Sequence, residues 1–390
     1  MLENLLNEAQ GFADDLVSWR RALHQIPETD LSLPNTSAFV QQKLTELDVP
    51  FTTLVDGNAV VAQLGQGEPC ILLRADMDAL PIHEESGVPF ASTNGNMHAC
   101  GHDMHATSLL GAARLLKQHE GELKGTVKLI FQPGEETFNG ARAAIEDGVL
   151  ENPHVDAAFG MHVFAARPFG TVHYGDVSMS AVYGFRITVT GKGCHGSAPE
   201  DGIDPIAVGL QIHSALQELI AREKSPLAEA SLTIGSFHAG AAANAIPTTA
   251  VLQGTLRTFD ADVRAFLIKR INEVVPAIAA AYRATATVET IMDVPAVYND
   301  AAFVQECLGY VGQANPGFTF EDGAHYMGSE DFALYAEKVP SAYFIVGGSP
   351  DEGEALPQHN SRIRFNEREL PQAAASYAAV ALGWLAAHAK

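Results

Sequence analysis

The run Met97-His98-Ala99-Cys100-Gly101-His102-Asp103-Met104-His105-Ala106-Thr107 packs a thiol, a carboxylate and three imidazoles into one short stretch. Cys100 and His102 lie two apart, a spacing that lets a turning segment aim both side chains at one metal. A thiolate and a neutral imidazole suit a borderline-soft divalent ion. Leu109, Leu110, Ala113 and Leu116 follow at helical intervals, so the stretch opens a helix.

Further donors follow apolar, strand-like runs. Asp76 and Asp78 come after Cys70 to Leu73, Glu135 and Glu136 after Thr126 to Phe131, and His162 directly after Asp156 to Met161. His359 lies in the loop after Tyr343 to Val346. The strong donors Cys100, His102, Glu136, His162 and His359 exceed the needs of one tetrahedral ion. They suit two divalent ions that share a ligand. Two such ions polarise a carbonyl and ease deprotonation of a water. Glu135, beside a metal-occupied Glu136, is then the natural general base for cleaving an amide. No serine elbow, P-loop or dinucleotide glycine fingerprint competes for the chemistry.

Elements that deliver ligands from the carboxyl ends of successive buried strands predict a mostly parallel sheet with helices on both faces. Leu2 to Leu23 reads as one amphipathic helix, and Asn35 to Leu47 as a second, capped by Asn35 or Thr36. From about Val182 to Met292 the texture changes to β-α-β-β-α-β, which predicts an inserted ferredoxin-like domain. The expected division is therefore a catalytic domain formed by 1–180 and 293–390, interrupted by a lid domain at 181–292.

Composition excludes some partners. A formal charge of −23 over 390 residues repels nucleic acid and anionic membranes. The four cysteines, Cys70, Cys100, Cys194 and Cys307, have no framework spacing and fit a reducing cytoplasm. Met1-Leu2-Glu3-Asn4 lacks the basic and apolar regions of a secretion signal. The apolar Ala373 to Ala387 tract is short for a bilayer and is interrupted by Ser376, Gly383 and Trp384, so a packed terminal helix is expected.

Taken together, RADMDALP (Arg74 to Pro81), MHACGHDMHAT, FQPGEE (Phe131 to Glu136), MHV (Met161 to Val163), GKGCHGSAPEDGIDPI (Gly191 to Ile206) and MGSEDF (Met327 to Phe332) carry a resemblance. The chain resembles, over nearly its whole length, a zinc-peptidase-related amidohydrolase family. That family includes hippurate hydrolases, bacterial aminoacylases, N-acetyldiaminopimelate deacetylases, plant auxin-conjugate hydrolases and some carboxypeptidases.

The resemblance implies that Cys100, His102, Glu136, His162 and His359 hold two divalent ions per subunit and that Glu135 is the base. Zinc is the first expectation, with manganese, cobalt or nickel as alternatives. Asp76 and Asp78 stand where distant relatives carry His-x-Asp, and are read as supports of the ligands. In the lid, His195 resembles a histidine that stabilises the tetrahedral oxyanion, and Asn244 and Arg257 resemble groups that hold a substrate carboxylate. Taken without the resemblance, the three are equally a turn histidine, a turn asparagine and a cross-strand arginine. The family's lid usually mediates dimerisation, so a homodimer is expected. The expected substrate is an N-acyl amino acid. A carboxypeptidase or dipeptidase on the same centre is the alternative, and a metal-binding module without turnover is disfavoured by Glu135.

Overall fold

The computed structural model describes residues 1–389, which fold as two compact units. The first comprises Met1–Ser178, Val297–His325 and the chain from Asp331 onward, and the second comprises Met179–Ala296 with Tyr326–Glu330.

The first unit is built on an eight-stranded sheet. Its order is Phe51–Leu54, Ala59–Gly65, Thr126–Gln132, Cys70–Asp76, Ala157–Phe164, Ser341–Gly347, Thr171–Tyr174 and Thr319–Asp322. The four central strands, from Thr126–Gln132 to Ser341–Gly347, run parallel. Antiparallel pairs attach the hairpin at one edge and Thr171–Tyr174 towards the other.

Alternation along the central strands sorts the side chains. Ile71, Leu73, Val127, Leu129, Phe131, Phe159 and Met161 enter one core with the helices His102–Gln118 and Glu369–Ala387. Full burial of each such side chain contributes roughly 1.5–3 kcal/mol. The intervening residues Arg74 and Gln132 point to the other face, where Asp331 meets both and Tyr335 meets Gln132. A sheet covered on both sides explains why Cys70–Asp76, Thr126–Gln132 and Ser341–Gly347 are buried at every position.

Several local expectations are corrected. The first helix is broken at Gly11 and Phe12 into Leu5–Gln10 and Ala13–His24: the apolar period runs on through the break, but Gly11 is a poor helix former and Phe12 leaves helical geometry at φ −130°. The second runs Pro34–Glu46, and its free N–H groups are capped by the Glu28 carboxylate, which accepts from Asn35 N at 3.0 Å and Thr36 N at 2.9 Å. Pro34 supplies a helical φ at the first position. His162 lies within a strand that continues to Phe164, while Asp156 stands outside it and accepts the N–H of Cys70 at 2.8 Å. The short strands Phe51–Leu54, Thr171–Tyr174 and Thr319–Asp322 carry too few apolar residues to be read beforehand.

The second unit has an antiparallel four-stranded sheet in the order Ala230–Ala239, Thr249–Thr258, Ala181–Thr190, Thr285–Val294. Helices Pro205–Glu218 and Ala261–Ala281 pack on one face through Val208, Ile212, Leu216, Leu267, Ile271 and Val275. Each helix is capped by an aspartate: Asp204 accepts from Ile206 N and Asp260 from Val263 N, both at 2.8 Å. The element order is β-α-β-β-α-β.

Candidate metal centre

Gly101 makes the first part of the site possible. It sits at φ 92° directly before the helix His102–Gln118, and a Cβ there would lie 2.7 Å from a Val163 methyl. Only glycine takes that left-handed turn in that space. The turn carries Cys100 and His102 past the end of the sheet, where His162 arrives from its strand. Cys100 Sγ stands 3.3 Å from His162 Nε2, and Cys100, His102 and His162 form one compact donor set.

Glu136, reached through the turn after Thr126–Gln132, meets His359 Nε2 at 3.3 Å. Cys100, Glu136 and His359 form a second donor set, so the thiol belongs to both. His359 has φ 64°, an unusual conformation for a residue with a side chain, and its N–H is tied to Ala99 O at 2.9 Å. Such backbone strain is typical of sites where geometry is imposed for function. All five expected donors therefore gather in the first unit.

Do these residues fit divalent ions? Nε2 of His102 is buried with no hydrogen-bond partner, and 3.9 Å away the buried Oε1 of Glu136 faces only the His359 ring nitrogen at 3.3 Å, out of hydrogen-bond geometry. Polar atoms are not normally left so, and a shared cation would satisfy both. The electrostatics agree. Burial disfavours an imidazolium at His102, yet Asp76, Asp78 and Glu136 outweigh it and push its pKa up to about 10. Burial, reinforced by Glu136, Glu135 and Asp76, raises the Cys100 thiol well above its ordinary range. Burial also keeps His162 neutral, with a pKa well below normal. Excess negative charge thus collects a proton where a cation would displace it, and metal binding is coupled to proton release.

The carboxylates read as supports hold different things. Asp78 accepts the successive backbone N–H groups of Glu135 at 3.1 Å and Glu136 at 3.0 Å, which fixes the orientation of both glutamates. The Asp78 backbone carbonyl takes Nδ1–H of His102 at 2.9 Å, leaving Nε2 to face the donors. Asp76 turns to His105 and Arg74. Burial would raise its pKa, but His102, Arg74 and His105 hold it well below the carboxylate range. Glu135 Oε2 stands 3.9 Å from His102 Nε2, beside the donor sets. His105 went unassigned in the sequence, although its position three residues after His102 on a helix puts it on the same side. Arg74 and Asp331 were visible only as parts of motifs.

The remaining expected residues lie in the second unit. His195 forms a two-residue bridge with Ala245, and Gly196 N donates to Asn244 O at 2.8 Å, so His195 and Asn244 flank one small turn. Ser197 N–H donates to His195 Nδ1 at 3.1 Å, which puts the proton of the neutral ring on Nε2. Arg257 lies on Thr249–Thr258, opposite in parity to Leu256 and thus on the face away from the two helices. Its Nη1 is buried without a partner.

The chain is similar to known proteins. The model of peptidase family M20/M25/M40 matches residues 72–383. The chain belongs to that family. It is 38% identical over 382 residues to an N-acetylcysteine deacetylase of Bacillus subtilis, covering 96% of this chain and 97% of that one. It is 35% identical to thermostable carboxypeptidase 1 of Saccharolobus solfataricus, over 98% of both chains. A solved structure from Bacillus subtilis, described as a dinuclear metal-binding peptidase of the M20 family, superimposes with a TM-score of 0.82 at 35% identity. It covers 97% of this chain and 99% of that one. The chain is accordingly a metal-binding hydrolase of amide bonds. No helix among the described residues is long and apolar enough to cross a membrane.

Proposed function

We propose that this chain removes the acyl group from N-acyl amino acids at two divalent ions held by Cys100, His102, Glu136, His162 and His359. The observation that carries the reading is the pair of donor sets that share Cys100, with the Glu135 carboxylate beside them. Bound there, two divalent ions would polarise the amide carbonyl and bring a water's pKa towards about 7.

Glu135 takes the water's proton on a carboxylate oxygen and returns it to the leaving nitrogen, which must depart as an amine. Asp78 holds the Glu135 backbone so that this oxygen keeps its aim. His195, with its proton on Nε2, donates to the carbonyl oxygen as that atom gains charge. Arg257 holds the substrate's carboxylate with its fork of donors, a role supported by its unpartnered buried Nη1, and Asn244 assists.

Zinc is the proposed metal, with manganese, cobalt or nickel as substitutes, because a thiolate ligand disfavours magnesium and calcium. We further propose a homodimer formed through the inserted unit. Its edge strands Ala230–Ala239 and Thr285–Val294 offer unpaired backbone groups that a partner could cover. The four unpaired cysteines fit a cytoplasmic setting. A carboxypeptidase activity on the same centre is the second reading, supported by the similarity to the archaeal carboxypeptidase.

The test is amine release from a panel of N-acyl amino acids and dipeptides, before and after chelation. N-acyl amino acids are expected to be the best substrates, with turnover abolished by chelator and restored by a transition metal. Undiminished hydrolysis by metal-free protein would refute the metal mechanism, and a clear preference for dipeptides would favour the second reading.

A further inference from the structure

Behind the donor sets runs a chain of buried polar groups that touches no proposed substrate atom. His105 Nε2 accepts the backbone N–H of Val163 at 2.9 Å. Because that nitrogen accepts, the ring proton is on Nδ1, which donates to Asp76 Oδ1 at 2.5 Å. Asp76 Oδ2 takes Nη1 of Arg74 at 2.5 Å, and Arg74 Nη2 reaches Asp331 Oδ1 at 2.7 Å. Gln132 closes the chain, accepting from Arg74 Nε at 3.1 Å and donating to Asp331 at 2.9 Å. His105 is 5% exposed, and Asp76, Arg74, Gln132 and Asp331 are 0–1% exposed.

Ionic chains this deep gain little stability over apolar packing, since desolvation offsets most of their attraction. What this one holds is more telling. Val163 lies three residues past Gly160, the last position of its strand paired with Cys70–Asp76, so its N–H has run off that ladder and takes His105 instead. The Val163 carbonyl accepts Nδ1–H of His162 at 3.0 Å and Nε2–H of Gln358 at 2.5 Å. The first bond leaves His162 Nε2 bare and aimed at Cys100. The second pins the residue immediately before His359.

We propose that His105, locked in one tautomer by Asp76 and Arg74, is a positioning residue. By clamping Val163 it sets the aim of two donors that arrive from distant parts of the chain, His162 and His359. This rests on the reading of the site as a metal centre and extends it to the groups that pre-set its geometry. The same grip serves both donor sets, so its loss should weaken both metal positions together.

The experiment compares His105→Gln with His105→Asn. A glutamine places its terminal oxygen near the position of Nε2 and can still accept from Val163. An asparagine reaches only the position of Nδ1, keeping Asp76 but releasing Val163. Cobalt(II) affinity is measured by competition with a chromophoric chelator, stoichiometry by elemental analysis, and the melting temperature of the metal-free protein by circular dichroism. Outer partners of metal ligands typically influence affinity by about 10–100-fold. The expected result is an affinity within about threefold of wild type for His105→Gln and a loss of at least about tenfold for His105→Asn, with similar metal-free melting temperatures.

Equal affinities, or an affinity loss that only follows a fall in metal-free melting temperature, would overturn the proposal. Should His105→Asn not fold, His105→Gln decides alone: retention supports the clamp, and a loss of about tenfold or more overturns it. A wild-type protein that binds no cobalt would overturn the metal reading itself, and the clamp with it.

Discussion

Asp103 and His105 leave the same helix two residues apart and enter two different buried ionic clusters. Asp103 forms an ion pair with Arg20 and accepts from His24, each at 2.7 Å, and His24 reaches Glu84 at 3.1 Å with its other nitrogen. His105 enters the chain of Asp76, Arg74, Asp331 and Gln132. Both clusters are almost fully buried, and both contain a histidine, an arginine and two carboxylates. Burial and charge therefore do not distinguish them. What each holds does. The first fastens the helix Ala13–His24 and the Glu84 segment to the scaffold, whereas the second ends on backbone that aims His162 and leads to His359. Perturbed, buried ionisable groups are thus an incomplete guide to chemistry, and the backbone they grip completes it.

That contrast can be broken experimentally. Asp103→Asn should remove the carboxylate that Arg20 and His24 share, leaving them only Glu367 and Glu84, and breaking a buried pair costs about 3–5 kcal/mol. The variant should lose stability on this scale in denaturant titration while its metal content, once folded, stays near wild type. A loss of metal without a loss of stability would merge the two clusters.

A smaller effect concerns pH. Both His24 nitrogens face carboxylates. Burial opposes its charge, but Asp103 and Glu84 prevail and raise its pKa above 6.5. For Asp103, burial is outweighed by Arg20 and His24, which depress its pKa. A raised histidine stabilises fully below its unfolded value and loses that contribution as pH climbs through its folded value. A depressed aspartate stabilises above its unfolded value, about 3.9, and loses the contribution on acidification. The first cluster should therefore be strongest between about pH 4 and 6.5. Denaturant titrations of metal-free wild type and His24→Gln should differ most near pH 5.5 and converge as pH rises past the folded His24 value. A gap that widens with pH would contradict the assignment of His24 as a buried imidazolium.

Much of the site could be read from residue type and spacing. Cys100, His102, Glu136 and His359 gather because turns deliver them, and turns leave marks such as Gly101 and Gly134, whereas His162 is carried there within its strand. Helix geometry also made the two clusters readable in principle: Asp103 is about 100° around from His102, while His105, at i+3, returns to its side. The partners were less legible. Arg74 and Asp331 are 257 residues apart in sequence, and nothing local tells an arginine on a buried strand which distant acid will meet it. The Glu28 cap at the second helix is local, seven residues before Asn35, but was masked in the sequence by Asn35 and Thr36, which offer a plausible cap of their own.

The central claim is that Glu135 moves protons while its neighbour Glu136 holds metal, and one paired measurement tests it: metal stoichiometry and single-turnover rate for Glu135→Gln and Glu136→Gln. The isosteric amide retains volume and hydrogen bonding but not basicity, and a general base is worth about 10²–10⁴ in rate. Glu135→Gln is predicted to slow the reaction by that order with both metals bound, and Glu136→Gln to lose metal and rate together. Near-normal turnover in Glu135→Gln, or the two phenotypes exchanged, would contradict the account.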